Sequence, residues 1–335
     1  MRKFFGPSGS VTRIIVESQL LQSNMLGDPS TRAVDIYIPA GHDGASLPLL
    51  VDLVGFTSGG LTQTNWTPFR ENVPERLDRL IGEGKLAPVA VAFPDCFTRL
   101  GGNQYVNSVS LGLWEDFLIH EMLPAIETRF GCGGDGRRGV FGKSSGGYGS
   151  LMHALRHSDV WSAAACHSGD AAFELCYLPD MPSVLRALAG CENSIETWWT
   201  QLESARKHPD GSFKVFNILA MAASYDPDPD AFLGIRLPVT FDTCEVIEDR
   251  WANWLAHDPV VALDSHAGNL RGLKALYIDC GERDQFNLLY GARRFVRRLK
   301  ALDIPHRYEE FPDNHSSVDY RMDESLPFLV NALLG

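Results

Sequence analysis

The chain's 335 residues set 42 Asp plus Glu against 30 Lys plus Arg, a net charge of −12, so most of the surface repels a phosphate backbone and nucleic acid is excluded as a partner. Hydrophobic residues at 44% and charged residues at 21%, with 31 Gly and 19 Pro, are ordinary globular proportions and exclude a disordered chain. No stretch supplies the roughly 20 apolar residues that span a bilayer, and the length suits a single domain, residues 1–335, enlarged by an insertion.

The start, Met1 to Pro7, places only Phe4 and Phe5 between its basic pair and Gly6-Pro7, which is too short for a secretory h-region. A cytoplasmic location is expected, with a mature secreted form left open. Thr12–Glu17 and Arg32–Pro39 are β-branched or apolar enough for strands, separated by a turn at Gly27-Asp28-Pro29, and predict an antiparallel entry into a sheet. Leu47–Val54 and Pro88–Phe93 are nearly continuous apolar runs, as strands buried on both faces require. Asn72–Gly82 between them predicts a helix, and Leu100–Ser108 a Gly-rich loop. Leu111, Trp114, Leu118, Met122 and Ile126 recur at three or four residues and predict an amphipathic helix packed on the sheet.

Gly139–Gly142 reads as a short strand and Gly147–His157 as a helix, so strand, sharp turn and helix meet at Ser144. Trp161–Cys166 is the next strand. From Ala171 to Trp254 the alternating βα texture gives way to Pro-broken helices rich in Trp and Tyr, and residues 171–254 are expected to be a cap or insertion that shapes a pocket. Leu273–Asp279 resumes the strands, the helix carrying Ala292, Phe295, Val296, Leu299 and Leu302 follows, then a strand at Arg307–Phe311 and a terminal helix from about Ser325. Alternating β and α segments predict a mostly parallel central sheet with helices on both faces.

Gly142-Lys143-Ser144-Ser145-Gly146 matches G-x-S-x-G, a pattern with a physical basis where it joins a strand to a helix: the serine occupies strained backbone, and the glycines admit neighbouring chain. Gly142-Lys143-Ser144 is not a phosphate loop, because Arg137 stands where the first Walker glycine belongs. Lys143 is expected at the surface or packing the turn. A serine nucleophile needs a histidine base, and the histidine an acid. His315 sits in the loop after the last strand, and Asp284 in the loop after Leu273–Asp279, matching the order nucleophile, acid, histidine; Glu282 and Asp279 are the competing acids. His120, His153 and His157 read as structural or surface groups, whereas His167 follows a strand and is a pocket candidate. Two amides are expected to hold an oxyanion: that of Ser145, next to the nucleophile, and one from Gly55–Gly60, with Phe56 preferred over Thr57. Thr57, Asn103, Tyr105, His167, Tyr225 and Trp251 are the candidate pocket residues, and Trp198, Trp199 and Trp254 could extend an apolar wall.

No metal or other cofactor is expected. Asp226, Asp228 and Asp230 alternate with prolines and lack the glycine and final glutamate of a calcium loop. The seven cysteines have no short-spaced cluster and an odd count, which favours reduced thiols.

Four segments carry a family resemblance: Leu53-Val54-Gly55-Phe56-Thr57, Gly142–Gly147, Gly281-Glu282-Arg283-Asp284 and Asn314-His315-Ser316. Over roughly Thr12 to Leu334 the chain resembles the α/β-hydrolase esterases that include esterase D or S-formylglutathione hydrolase, mycolyltransferases and enterochelin-esterase-like proteins. The resemblance implies an α/β-hydrolase fold, Ser144, Asp284 and His315 as a catalytic triad, and the Phe56 and Ser145 amides as oxyanion hole. It departs from the formylglutathione branch at Phe56-Thr57-Ser58, where that branch often has a cysteine. The expected function is a serine carboxylesterase acting on a small-molecule ester through an acyl-enzyme on Ser144. Acyl transfer, thioester hydrolysis and a catalytically silent binding protein are the alternatives; assembly into a homo-oligomer stays open.

Overall fold

The computed structural model describes residues 6–335; Met1 to Phe5, on which part of the leader reading rests, lie outside the described residues. Ten strands form, in chain order β1 (Ser10–Glu17), β2 (Thr31–Ile38), β3 (Leu49–Leu53), β4 (Ala90–Pro94), a two-residue hairpin of β5 (Asn107–Ser108) and β6 (Gly112–Leu113), then β7 (Arg138–Lys143), β8 (Ala163–His167), β9 (Ala275–Gly281) and β10 (Arg307–Phe311). Eight of them make one sheet in the order β1-β2-β4-β3-β7-β8-β9-β10. β1 and β2 pair antiparallel, as does β2 with β4; every other pair in the sheet is parallel.

Side-chain alternation shows why the central strands read as unbroken apolar runs. Leu49, Val51, Leu53, Val140, Ala164, Cys166, Leu276 and Ile278 face one core cluster, while Leu50, Phe141, Ala163, Ala165, Ala275 and Tyr277 face another. With both faces buried, neither parity can be polar. The second cluster is covered by the helices Val73–Gly82 and Met322–Leu334 through Leu77, Leu80, Leu326, Leu329 and Leu333. The Val73–Gly82 helix starts where its sequence says it should, because Asn72 and Glu75 form a reciprocal capping box. The first cluster is covered by the helical run from Trp114 to Phe130, by Ser145–Arg156 and by Leu288–Ala301.

Several boundaries differ from expectation. The amphipathic helix starts at Trp114, leaving Leu111 in the preceding loop, and winds as a π-helix over Phe117–Met122. Trp114, Leu118, Met122 and Ile126 are all fully buried; a spacing of four throughout suits a helix locally wider than 3.6 residues per turn. β9 runs on through Cys280 and Gly281 because both pair with β10, at Glu310 and Phe311. The terminal helix begins at Met322. A helix at Pro259–Arg271, absent from the sequence reading, packs against Ser145–Arg156. Its start signal is present, since Asp258 caps it and Pro259 opens it, but its apolar residues bunch at Val260-Val261-Ala262-Leu263 instead of recurring at a helical spacing.

The segment from 171 to 254 folds as short helices, chiefly Met181–Ala189, Ile195–Ser204, Ser212–Tyr225 and Glu248–Leu255. Val184, Leu188, Trp198, Trp199, Ile218, Leu219, Tyr225 and Trp254 belong to the same apolar cluster as the sheet's first face. The acidic turn is held from within: Asp226 takes Arg236 Nη2 at 2.6 Å and Asn253 Nδ2 at 2.6 Å. No described helix is long and apolar enough to cross a membrane.

Candidate active site

Strand β7 ends at Lys143 and the helix begins at Ser145, so Ser144 carries the whole turn, with φ 60° and ψ −126°. A non-glycine residue in that region stores strain. Two contacts hold it: the Ser144 amide donates to His167 O at 2.9 Å, and its carbonyl accepts from Tyr148 N at 2.8 Å. The motif glycines are required by backbone proximity. A Cβ on Gly146 would stand 1.6 Å from Leu53 O, and one on Gly142 would stand 2.2 Å from the same oxygen. The pattern is thus the imprint of β3 crossing directly beside the turn.

Ser144 lies on the wall of a cavity of about 360 Å³ whose lining also includes Gly55, Phe56, Thr57, Ser145 and His315. His315 Nδ1 is 2.7 Å from Asp284 Oδ2, and both residues are buried. Asp284 Oδ1 accepts from Phe286 N at 2.9 Å, and His315 N donates to Gln285 Oε1 at 3.0 Å. Phe286 sets its ring edge-on to the imidazole, with centroids 4.9 Å apart. Asp284 is therefore fixed by its own loop and the imidazole by Asp284, a bond that engages Nδ1 and not Nε2. The competing acids sit elsewhere: Glu282 is exposed, and Asp279 binds His167 at 2.8 Å.

On the other side of Ser144, the Thr57 amide is engaged by Gly101 O at 2.7 Å, whereas the Phe56 amide has no hydrogen-bond acceptor among the described residues. Thr57 itself sits at φ 69°, a bend that turns the chain here. Gly55 fits tightly, since a Cβ there would be 3.3 Å from Ser144 Cβ. Phe56 and Ser145 line the same cavity as Ser144.

Of the candidate pocket residues, only Thr57 lines this cavity. Asn103 and Tyr105 brace it from behind. Asn103 Oδ1 accepts from Tyr105 N at 2.6 Å, and Tyr105 OH donates to Val54 O at 2.6 Å, beside the oxyanion loop. Tyr225 stacks on Phe173 in the core, and Trp251 packs on Trp254; Trp198, Trp199 and Trp254 are likewise core. His167 is corrected most sharply. Its Nε2 is 2.8 Å from Ser325 Oγ and its Nδ1 2.8 Å from Asp279 Oδ1, a second serine, histidine and aspartate in hydrogen-bonded series. Ser325 has no accessible surface and lies inside a helix, so no ester reaches it. This cluster ties the terminal helix to the sheet.

Four more groups stand near the site, of which Asp52 and Asp170 had been given no role from the sequence. Gln104 Nε2 donates to Ser145 Oγ at 2.7 Å and so holds the residue after Ser144. Lys143, expected to pack the turn or face solvent, lines the cavity, and burial lowers its pKa; its ammonium has no hydrogen-bond or ion-pair partner among the described residues. Asp52 also lines the cavity, and burial holds its pKa well above the usual carboxylate range. Asp170, after β8, is a buried cavity group whose pKa is pushed up to about 6 by burial, against the opposing influence of the Tyr177 hydroxyl and of His315. The only signal for it in sequence was its place just beyond a strand's C-terminal end, where open α/β sheets collect ligand-binding residues.

Comparison with known proteins gives the family and the fold. The family model described as "Putative esterase" matches residues 23–324. Esterase Rv1288 of Mycobacterium tuberculosis is 26% identical over 244 residues, 68% of this chain and 42% of that protein, so the chain spans less than half the length of this curated relative. Solved structures resemble it over nearly its whole length. A ferulic acid esterase gives a TM-score of 0.63 at 19% identity, covering 97% of this chain and 98% of that one. An S-formylglutathione hydrolase from Agrobacterium tumefaciens gives 0.60 at 17% identity, covering 98% of each. FphF, a fluorophosphonate-binding serine hydrolase of Staphylococcus aureus, gives 0.58 at 15% identity, covering 98% and 100%. At these identities the likeness establishes the fold, that of the α/β-hydrolases.

Proposed function

Since the chain belongs to the esterase family, we infer that it is a serine carboxylesterase, with Ser144 as nucleophile, His315 as general base, Asp284 as the acid that orients it, and the Phe56 and Ser145 amides as oxyanion hole. The observation that carries the reading is the convergence on one cavity of a strained serine, a histidine bound to aspartate through Nδ1, and two residues whose amides have no acceptor among the described residues. Ser144 Oγ attacks the ester carbonyl while His315 Nε2 takes its proton; the carbonyl oxygen becomes an oxyanion facing the two amides. Collapse expels the alcohol, which receives the proton from His315, and leaves an acyl ester on Ser144. Water then attacks that ester with His315 again as base, releasing the acid. Asp284 holds the proton on Nδ1, so that Nε2 is the basic nitrogen at the moment of attack.

A cavity of about 360 Å³ lies at the lower end of small-molecule sites and supports a small ester as substrate. Thioester hydrolysis is a second reading that uses the same machinery, supported by the full-length likeness to an S-formylglutathione hydrolase; Ser58 in place of a cysteine in the oxyanion loop counts against that branch. The test is turnover of phenyl esters of acetate, butyrate and octanoate by the native chain, Ser144→Ala and His315→Ala. The reading expects hydrolysis by the native chain and losses of about 10³-fold or more in kcat in both variants. Native-level turnover in Ser144→Ala would reject it.

A further inference from the structure

We propose that Asp170 is a substrate-recognition group, its open carboxylate oxygen accepting a hydrogen bond from a hydroxyl or ammonium group carried by the ester. The proposal deepens the esterase reading and rests on it.

Asp170 ends the turn Ser168-Gly169-Asp170, which leaves β8 beside the nucleophile helix. Ser168 has φ 45°, and a Cβ on Gly169 would meet Tyr148 N at 2.8 Å, so the turn is pressed against the helix and its position is fixed. Asp170 Oδ2 accepts from Tyr177 OH at 2.8 Å. Tyr177 is itself held, packed on Phe173 with centroids 4.8 Å apart and on Trp254 at 5.8 Å. One oxygen of the carboxylate is thereby locked. The other, Oδ1, has no hydrogen-bond partner among the described residues and is not among the fully enclosed polar atoms, while Asp170 lines the cavity. Oδ1 therefore opens into the space that the ester occupies.

Asp170 is 7% exposed and its carboxylate forms no ion pair among the described residues, an arrangement that is costly unless something completes it. It makes no hydrogen bond to His315, whose Nδ1 is taken by Asp284. The same wall carries Asn217, whose side-chain amide has no partner among the described residues, and Asp180, which is tied to Lys214. A substrate donor at Oδ1 supplies the missing bond and is charge-assisted, the stronger kind. A site built in this way discriminates against an otherwise similar ester that lacks the donor, because binding that ester leaves the carboxylate buried and incomplete.

The experiment compares kcat/KM for matched esters in the native chain, Asp170→Ala and Asp170→Asn. The acyl-side pairs are phenyl 3-hydroxybutyrate against phenyl butyrate and phenyl 3-aminopropanoate against phenyl propanoate; the alcohol-side pair is 2-hydroxyethyl against 2-methoxyethyl benzoate. The native chain is expected to favour the donor-bearing member of at least one pair, and Asp170→Ala to reduce that ratio by about tenfold or more. Asp170→Asn keeps an acceptor but loses the charge, so its ratio falls less for a hydroxyl and fully for an ammonium, which also separates the two donors. Should the alanine variant not fold, the asparagine variant decides. Ratios unchanged in a folded variant, or both members of every pair falling in step, overturn the proposal and make Asp170 a group acting on His315. Absence of any turnover, with no fluorophosphonate labelling of Ser144, would instead remove the esterase reading itself.

Discussion

Replacing Asp170 by Asn should stabilise the protein, by an amount that grows with pH. Burial raises this carboxyl from the ordinary aspartate value of 3.8 to about 6, so between those values the folded chain holds a proton that the unfolded chain releases. A carboxyl with a raised folded pKa destabilises the fold as it ionises: below 3.8 both states are protonated and the penalty is absent, and above about 6 it is complete. A rise of about two units at 1.36 kcal/mol each gives a full penalty of about 3 kcal/mol, and the same two values leave about 1 kcal/mol at about pH 4.5. Asparagine has no charge to bury, and its carbonyl oxygen can keep the Tyr177 hydroxyl as donor, now 2.8 Å from Asp170 Oδ2. Urea unfolding of both proteins should therefore show a stability gap in favour of Asp170→Asn widening from about 1 to about 3 kcal/mol between about pH 4.5 and pH 8. A gap independent of pH, or one that favours the native chain at pH 8, would refute the claim that an ionised Asp170 is unfavourably buried.

Three further outcomes follow from the site's geometry. Asp284→Asn should lose about 10⁴-fold in kcat, because the wrong histidine nitrogen then carries the proton, while Glu282→Gln, at an exposed position, should keep most of the rate; ester kinetics showing the reverse would transfer the acid's role to Glu282. Gly146→Ala puts a methyl 1.6 Å from Leu53 O, so soluble expression and thermal melting should reveal a severe folding defect, and a native-like melting temperature would contradict the close crossing of β3. Ser325→Ala leaves His167 Nε2 without its 2.8 Å partner and should lower stability by about 1–3 kcal/mol while Ser144 still reacts with a fluorophosphonate; loss of that reaction in a folded variant would mean that the buried cluster takes part in catalysis.

The turn at Ser144 was legible because its glycines answer to one steric fact, the approach of Leu53 O to Gly142 and Gly146, and steric demands of that kind leave a local pattern. The pairing of Asp284 with His315 was legible by position, each in the loop that follows a strand. The cavity wall was not. His167 looked available because it ends a strand, yet its fate is decided by Ser325, 158 residues away. Tyr105 faces Val54, 51 residues away, and the Trp and Tyr residues of 171–254 are drawn into the core by apolar area that no local period reveals. Asp170 escaped notice for the same reason: its partner Tyr177 is near in sequence, but the enclosure that makes its open oxygen significant comes from several distant elements.

The central claim, an acyl-enzyme on Ser144, is tested most directly by quenching turnover of a phenyl ester with acid within milliseconds and measuring the intact mass and the peptide masses. The account predicts one added acyl group, located on Ser144 and absent from Ser144→Ala. Product formation with no acylated protein under conditions where deacylation limits the rate, or an acyl group on another residue, would contradict it.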